Sequence, residues 1–462
     1  MAKYQKYAEY KDSEVEWLGE IPSHWSATQV KYGYLITLGK MLQSFPKSNV
    51  DEFKPYLKAQ NIQPNGVNID QVESMWFSPD ECKKLLLKKG DVLVSEGGDV
   101  GRSAIWNSEL DECYIQNAIN RVRPKYVNDS RYFLYWMAFL KSTNFINIIC
   151  NKATIAHYTA EKLEGSPIFL PSGSEQIEIA NFLDHETAKI DSLIEKQQQL
   201  IKLLKEKRQA VISHAVTEGL NPNVPMKDSG VEWLGQVPEH WRVVKFKYLT
   251  ILFEQGWSPQ CDSRPAELQE YGVLKVGCVN YGKFTSTENK ALPIELAPKL
   301  QYLIKKGDLL ISRANTKELV GSAAIVDREY GNLILCDKLY RLRFLNSVLP
   351  ELVALYLTIS PVREQIELGA SGASSSMQNI GQDTIKELTY ILPPLNEAIL
   401  LLDAINNSVS HFNILLEKAD HQIEVLEERR TALISAAVTG KIDVRNWQNP
   451  NKNNEENMEF GA

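Results

Sequence analysis

Arg313, Asn315, Thr316 and Lys317 fall within one five-residue run directly after Ser312. A guanidinium, a carboxamide, a hydroxyl and an ammonium group set so close can make several hydrogen bonds at once. That suits the flat polar edges of nucleic-acid bases, with Arg313 matching a guanine edge and Asn315 an adenine edge. Polar groups of the same kind cluster at Lys275, Asn280 and Tyr281 and at Ser374, Ser375, Ser376 and Gln378. The first half of the chain offers Lys58, Gln60 and Asn61, then Arg102 in the loop after Ser95, then Thr154, His157 and Tyr158. These residues are the candidate DNA contacts, because side chains that read sequence belong on variable loops held by a rigid scaffold.

Other conspicuous residues carry no bond-making chemistry. Pro79-Asp80-Glu81-Cys82-Lys83 contains the letters of a nuclease motif, but they are compressed into five residues, and such a metal site draws carboxylates from separate strands. Gly97-Gly98-Asp99-Val100-Gly101 reads as a tight loop between strands. The six cysteines lie far apart, with no C-x-x-C and no histidine at ligand spacing, so they are expected to be reduced and mostly buried. His24 and His240 are lone histidines in a repeated context, with no acid or nucleophile expected to be placed against them, and are expected to cap or fill. Neither a catalytic nor a metal-binding residue is assigned.

The elements that would position the contact residues come twice. KDSEVEWLGEIPSHW, from Lys11 to Trp25, returns as KDSGVEWLGQVPEHW from Lys227 to Trp241, identical at eleven of fifteen positions and offset by 216. KKGDVLVS (Lys88 to Ser95) matches KKGDLLIS (Lys305 to Ser312) at offset 217, and GRSAI (Gly101 to Ile105) matches GSAAI (Gly321 to Ile325) at 220. KRQAVISHAVT (Lys207 to Thr217) matches RRTALISAAVT (Arg429 to Thr439) at 222. A repeat this long denotes two domain-sized copies, since solenoid units run to ~20–50 residues. Between the anchors the copies diverge, which predicts one architecture with two different recognition surfaces. Trp17, Trp25, Trp233 and Trp241 recur in the shared context and are expected to pack the start of each copy.

Each copy is followed by an amphipathic helix. Ile190, Leu204 and Val211 recur in steps of seven, flanked by Leu193, Ile194, Leu200, Ile201 and Ala215. Phe412, Ala419, Leu426 and Leu433, with Leu415, Leu416, Ile423 and Ala437, repeat the phase. Gly219 with Asn221-Pro222, and Gly440, are the stop signals. A helix of roughly 40 residues is ~60 Å long. If the two pair antiparallel, the copies sit at opposite ends of the pair about an approximate twofold axis, the symmetry of duplex DNA, and would read two separated half-sites. The expected fold is therefore α/β (α+β), with two homologous globular domains separated by two long antiparallel coiled-coil helices. Its divisions are domain 1 at 1–171, a central helix at 172–226, domain 2 at 227–393, a distal helix at 394–445 and a disordered polar tail at 446–462.

The net charge of −7 is not spread evenly. Residues 1–171 carry 20 basic and 20 acidic side chains and 227–393 carry 19 and 19, whereas 172–226 carry 6 and 8 and 394–462 carry 6 and 11. Neutral domains give only a weak electrostatic footprint for nucleic acid, which suggests that a partner supplies much of any grip on DNA. No apolar run reaches the ~18 residues of a membrane span and the N-terminus lacks the apolar core of a signal peptide, so the expected location is the cytoplasm, with no membrane contact.

The paired VEWLG-x-[IV]-P-x-H-W motifs resemble the specificity subunit of type I restriction-modification systems. So do the KKGD-[LV]-L-[IV]-S strands, Leu170-Pro171 and Leu392-Pro393 entering the long helices, and the ISHAVTEG and ISAAVTGK helix ends. The resemblance covers nearly the whole chain in order, each segment 1–171 and 227–393 taking the part of a target-recognition domain. It departs at PPLNEAILL, where Ala398 stands in place of the glutamine kept at Gln176. It implies a non-catalytic reader of double-stranded DNA that binds two methyltransferase subunits, forming an adenine methylase, and recruits two restriction subunits. The cofactors it implies, S-adenosylmethionine, ATP and Mg, belong to those partners and none to this chain. In keeping with that, the sequence has no N-P-P-[FY] or D-P-P-Y tetrapeptide, no phosphate-binding G-x-x-x-x-G-K-[ST] loop and no nucleophile elbow. Lys205, Lys207, Arg208, Arg429 and Arg430, late in the helices, either complement the helix dipole or form a surface for the methyltransferase. The competing reading is a duplicated protein adaptor, or a decoy, without base-specific contacts.

Overall fold

The computed structural model describes residues 4–150, 156–374 and 377–450, the side chains of Ala373 and Ser374 excepted. The chain divides into two compact units, one of Met1–Gln197 with His421–Ala462 and one of Gln198–Asp420. Both mix helix with antiparallel sheet, so the α+β form of the expected class applies.

The first unit is built on a four-stranded antiparallel sheet in the order Ser103–Ile105, Val92–Ser95, Ile119–Pro124, Tyr34–Leu38. Strands Tyr114–Ile115, Glu52–Leu57 and Glu73–Phe77 form a second sheet, and Ser26–Gln29 pairs with Pro167–Leu170. The second unit repeats this topology. Its four strands run Ala323–Ile325, Leu309–Ser312, Leu339–Phe344, Thr250–Gln255, its three Leu333–Ile334, Gly272–Leu274, Asn289–Ala291, and Arg242–Lys245 pairs with Thr389–Leu392.

Ion pairs explain why the lysine-glycine-aspartate motif is kept in both copies. Asp91 and Asp308 are 1% exposed and accept from the backbone N–H of Lys88 (2.7 Å) and Lys305 (2.9 Å). Each is then gripped by an arginine of the neighbouring strand: Arg123 donates to Asp91 through Nε and Nη2 at 2.6 Å, and Arg343 to Asp308 at 2.5 and 3.0 Å. A buried carboxylate persists only with such partners. The compressed nuclease-like letters form the start of the helix Pro79–Leu85: Glu81 Oε2 accepts from Ser78 N (2.8 Å) while Ser78 Oγ accepts from Glu81 N, a capping box.

The central helix spans Gly173–Glu218 and the distal helix Leu395–Val438. Both end at a left-handed residue, Gly219 (φ 84°) and Gly440 (φ 72°), where glycine is favoured because it has no Cβ to strain. Ile179 and Leu183 of the central helix pack in the core of the first unit beside Ala437 and Val438 of the distal helix. Their counterparts at offset 222, Leu401 and Ile405 with Ala215 and Val216, pack in the core of the second. The repeated helix-end motif is thus a core element. Of the heptad positions, Ile190, Ala215, Leu416, Ala419 and Ala437 are buried, whereas Leu193 and Leu200 are 45% and 44% exposed. The distal helix is long and apolar enough by length and composition to cross a membrane. Its apolar positions Ala398, Leu401 and Ile405 are packed in protein.

Trp25 and Trp241 are fully buried, and Trp233 packs against the second core. Trp17 is 43% exposed and stacks on Phe145 at 5.0 Å. The expectation that no acid stands beside the histidines is corrected: His24 Nε2 lies 3.0 Å from Glu175 and His240 Nε2 2.8 Å from Glu397. The indoles of Trp25 and Trp241 donate to the same glutamates at 3.0 Å. Each glutamate lies in the first turn of a long helix, where a negative charge is stabilised. All six cysteines are free thiols, with Cys113, Cys150, Cys278 and Cys336 buried.

Candidate nucleic-acid interface

Three separate stretches of each unit meet at one place. In the first unit, Arg102 donates from Nη2 to the carbonyl of Ala59 (3.1 Å), joining the loop after Ser95 to the 3-10 turn Ala59–Asn61. The carbonyl of Glu96 accepts from Tyr158 N (2.9 Å), which brings in the third stretch. In the second unit, Asn315 Nδ2 donates to Asn280 Oδ1 (3.1 Å), Arg313 O accepts from Ile380 N (3.0 Å), and Asn315 pairs in register with Gln378.

The loops between these anchors close alike. Ser95 N donates to Arg102 O and Ser312 N to Ser322 O, both at 2.8 Å, while Gly101 N and Gly321 N donate back to the two serine carbonyls. Gly101 (φ 77°) and Gly321 (φ 74°) could not be replaced freely, because an added Cβ would come within 2.5 Å of Ile146 or Ile366. The first loop holds six residues and the second nine between the anchoring pairs.

Lys58 pairs with Glu73, and Lys275 Nζ lies 3.5 Å from Glu288. Gln60 is exposed, as are Lys317, His157 and Tyr281, the last at 87% with φ 58°. Arg102 also faces Asp99 at 3.7 Å, and its Nε is buried without a partner. Arg313 reaches the carbonyl of Asp337 at 3.4 Å, and Asn315 Oδ1 accepts from Thr316 N (2.9 Å). Two candidates point inward. Asn61 is 4% exposed, takes a bond from Lys58 N and donates to Asn68 O and Gln71 O. Its counterpart at offset 217 is the buried Cys278. Tyr158 is fully buried with its hydroxyl 2.7 Å from Ser166 Oγ, and its counterpart Ile380 is buried as well. Thr154, Ser375 and Ser376 lie outside the described residues, as does the side chain of Ser374.

Glu96 was not among the sequence candidates. Its side chain is 16% exposed, one carboxylate oxygen has no partner, and the other lies 3.9 Å from His157 Nδ1. Burial pushes its pKa up, and the neighbouring imidazole opposes that shift. Among the described residues no three His, Cys, Asp or Glu side chains are grouped to hold a metal.

On the helices, Lys205, Lys207 and Arg429 are exposed. Arg430 Nε donates to Asp191 (2.9 Å) within the first unit and Arg208 Nη1 to Asn413 (2.8 Å) within the second. These two contacts join equivalent positions at offset 222.

Residues 30–203 match the family model of the type I restriction modification DNA specificity domain. The chain is 23% identical to the EcoKI specificity subunit of Escherichia coli K12, over 94% of this chain and 92% of that protein. The chain belongs to the type I restriction-modification specificity subunits. It is 22% identical to the specificity subunit of MjaVIII from Methanocaldococcus jannaschii, covering 96% of this chain and 98% of that protein. A stronger local match, 26% to the EcoEI specificity subunit of Escherichia coli, covers 43% of this chain and 34% of that protein. In fold it is similar to the HsdS subunit of Thermoanaerobacter tengcongensis (TM-score 0.53, 16% identity, 91% of this chain and 98% of that one). A chain from a type I R-M system, solved to explain complex assembly and conformational transition, is nearer in fold (TM-score 0.64, 16% identity, 91% and 99%). As a specificity subunit the chain is a non-catalytic member of its system.

Proposed function

We propose that this specificity subunit reads an asymmetric two-part DNA sequence, one half through target-recognition domain 1–171 and the other through 227–393. The segments 172–226 and 394–445 pair antiparallel, set the spacing of the half-sites and seat two methyltransferase subunits that modify adenine. Two restriction subunits complete the nuclease. S-adenosylmethionine serves the methyltransferases, ATP and Mg the restriction subunits, and the assembly works in the cytoplasm. Lys205, Lys207 and Arg429 contribute to the methyltransferase surface.

The observation that carries this reading is the repeated convergence of three stretches, two of them joined by the same backbone bond in both units, with different side chains at the meeting point. A scaffold kept twice while its exposed polar groups diverge is what reading two unlike sequences requires. Antiparallel pairing of the helices is supported by the equivalent contacts Arg208 to Asn413 and Arg430 to Asp191.

The test is to express the chain with its methyltransferase in a host without other adenine methylases and to map the methylated adenines. Methylation confined to one asymmetric bipartite motif is expected. A stable complex that methylates without sequence preference would reduce the chain to an adaptor or decoy.

A further inference from the structure

Glu96 and Arg313 occupy one position of the repeated fold. Glu96 N donates to Ala118 O and Arg313 N to Lys338 O, both at 2.9 Å. Their carbonyls accept from Tyr158 N and Ile380 N at 2.9 and 3.0 Å. The offsets of these three pairs, 217, 220 and 222, are those of the sequence repeat itself. The backbone is therefore held at both ends in the same way, directly after a buried serine, Ser95 or Ser312. Only the side chain differs, and it differs in sign of charge.

An acid is an unfavourable choice beside phosphates, so its presence where three reading stretches meet calls for a reason. Glu96 Oε2 is buried without a partner and Oε1 lies 3.9 Å from His157 Nδ1, so among the described residues no arginine or lysine pairs with this carboxylate, and a base amine that reached it would supply the donor it lacks. A carboxylate pairs with the exocyclic amine of cytosine, whose major-groove edge offers a donor and no acceptor beside it. Adenine fits less well, because its N7 acceptor adjoins the amine and would repel the second oxygen. A guanidinium in the same place donates to the two acceptors of guanine.

We propose that this position sets one base of each half-site, Glu96 selecting cytosine in the first and Arg313 guanine in the second. The assignment rests on the function proposed above and adds the residues and bases. It is tested on the full-length chain in complex with its methyltransferase, by measuring methylation of duplexes in which each base of the mapped motif is varied in turn. The unmodified complex prefers cytosine at one first-half position by about tenfold or more. Glu96→Arg moves that preference to guanine and leaves the second half unchanged, and Arg313→Glu makes the converse change in the second half alone.

Glu96→Gln, nearly the same shape, guards against loss of folding: its carboxamide donates as well as accepts, so the preference for cytosine falls by about tenfold. An active Glu96→Gln complex with the original preference at every base overturns the assignment. That failure is distinct from failure of the function itself, which would show in the unmodified complex as methylation without any motif.

Discussion

At the entry to the central helix the first unit buries a polar network, and at the equivalent place the second unit buries none. Gln176 accepts from Asp129 N (2.9 Å) and donates to Asn128 Oδ1 (2.8 Å) and Pro171 O (3.1 Å), and Asp129 caps the helix Ser130–Ser142. In the second unit Ala398, Val348 and Leu349 fill these positions with apolar contacts, and Pro350 starts the corresponding helix Pro350–Tyr356 without a side-chain cap. The departure at Ala398 is therefore one part of a block replacement. Its lesson is that the shared framework is fixed by backbone geometry and burial, and that polar groups inside it are exchanged as sets, since a half-satisfied network is worse than none.

The aspartate of the lysine-glycine-aspartate motif should show the greatest likeness between units. Asp91→Ala and Asp308→Ala are each expected to cost about 3–5 kcal/mol, because each strands a buried arginine contact and a backbone donor. Urea unfolding of the full chain measures this, and a large cost at one site only would break the equivalence.

Next come the glutamates below the tryptophans. Glu175, whose side chain is 5% exposed, is bonded by Tyr7 (2.7 Å), Trp25 and His24, whereas Glu397 is 32% exposed and bonded by Trp241 and His240. Glu175→Ala should therefore cost about 2–3 kcal/mol and Glu397→Ala about 1 kcal/mol, by the same unfolding measurement.

Gln176→Ala alone should cost about 1–2 kcal/mol through the unpaired Asp129 N–H. Adding Asn128→Val, Asp129→Leu and Ser130→Pro should recover most of that loss, a non-additivity that a mutant cycle detects. Simple addition of the four costs would contradict the block replacement. The smallest effects belong to Arg208→Ala and Arg430→Ala, about 0.2–1 kcal/mol each and equal within error, because both pairs are largely solvated.

Much of this fold could be read from the amino-acid order, because repetition and heptad spacing are local signals. The offsets 216, 217, 220 and 222 already aligned the anchors, and the glycine stops Gly219 and Gly440 sit one and two residues past the helices they end. Contacts across long separations were not legible. Glu175 is 150 residues from Trp25, so nothing near His24 or His240 announced the acid that bonds it. Arg123 and Arg343 lie 32 and 35 residues after the aspartates they grip.

At the interface, the loop after Ser95 and the Arg313 run were found by residue type. Asn61 and Tyr158 meet the same criterion although their side chains face inward, because burial of a polar group depends on partners such as Asn68 and Ser166 that sequence proximity does not reveal. Glu96 carries no signal of this kind, because a lone acid in a loop does not suggest contact with a polyanion. Only the matching backbone bonds of Arg313 bring it into view.

The most direct test of one framework carrying two independent readers is to replace residues 227–393 with the corresponding domain of another type I specificity subunit, keep both long helices, and map methylated adenines in the presence of the methyltransferase. The expected motif has one new half, while the other half and the spacer length are unchanged. A motif altered in both halves, or unaltered in either, would contradict the independence of the two readers.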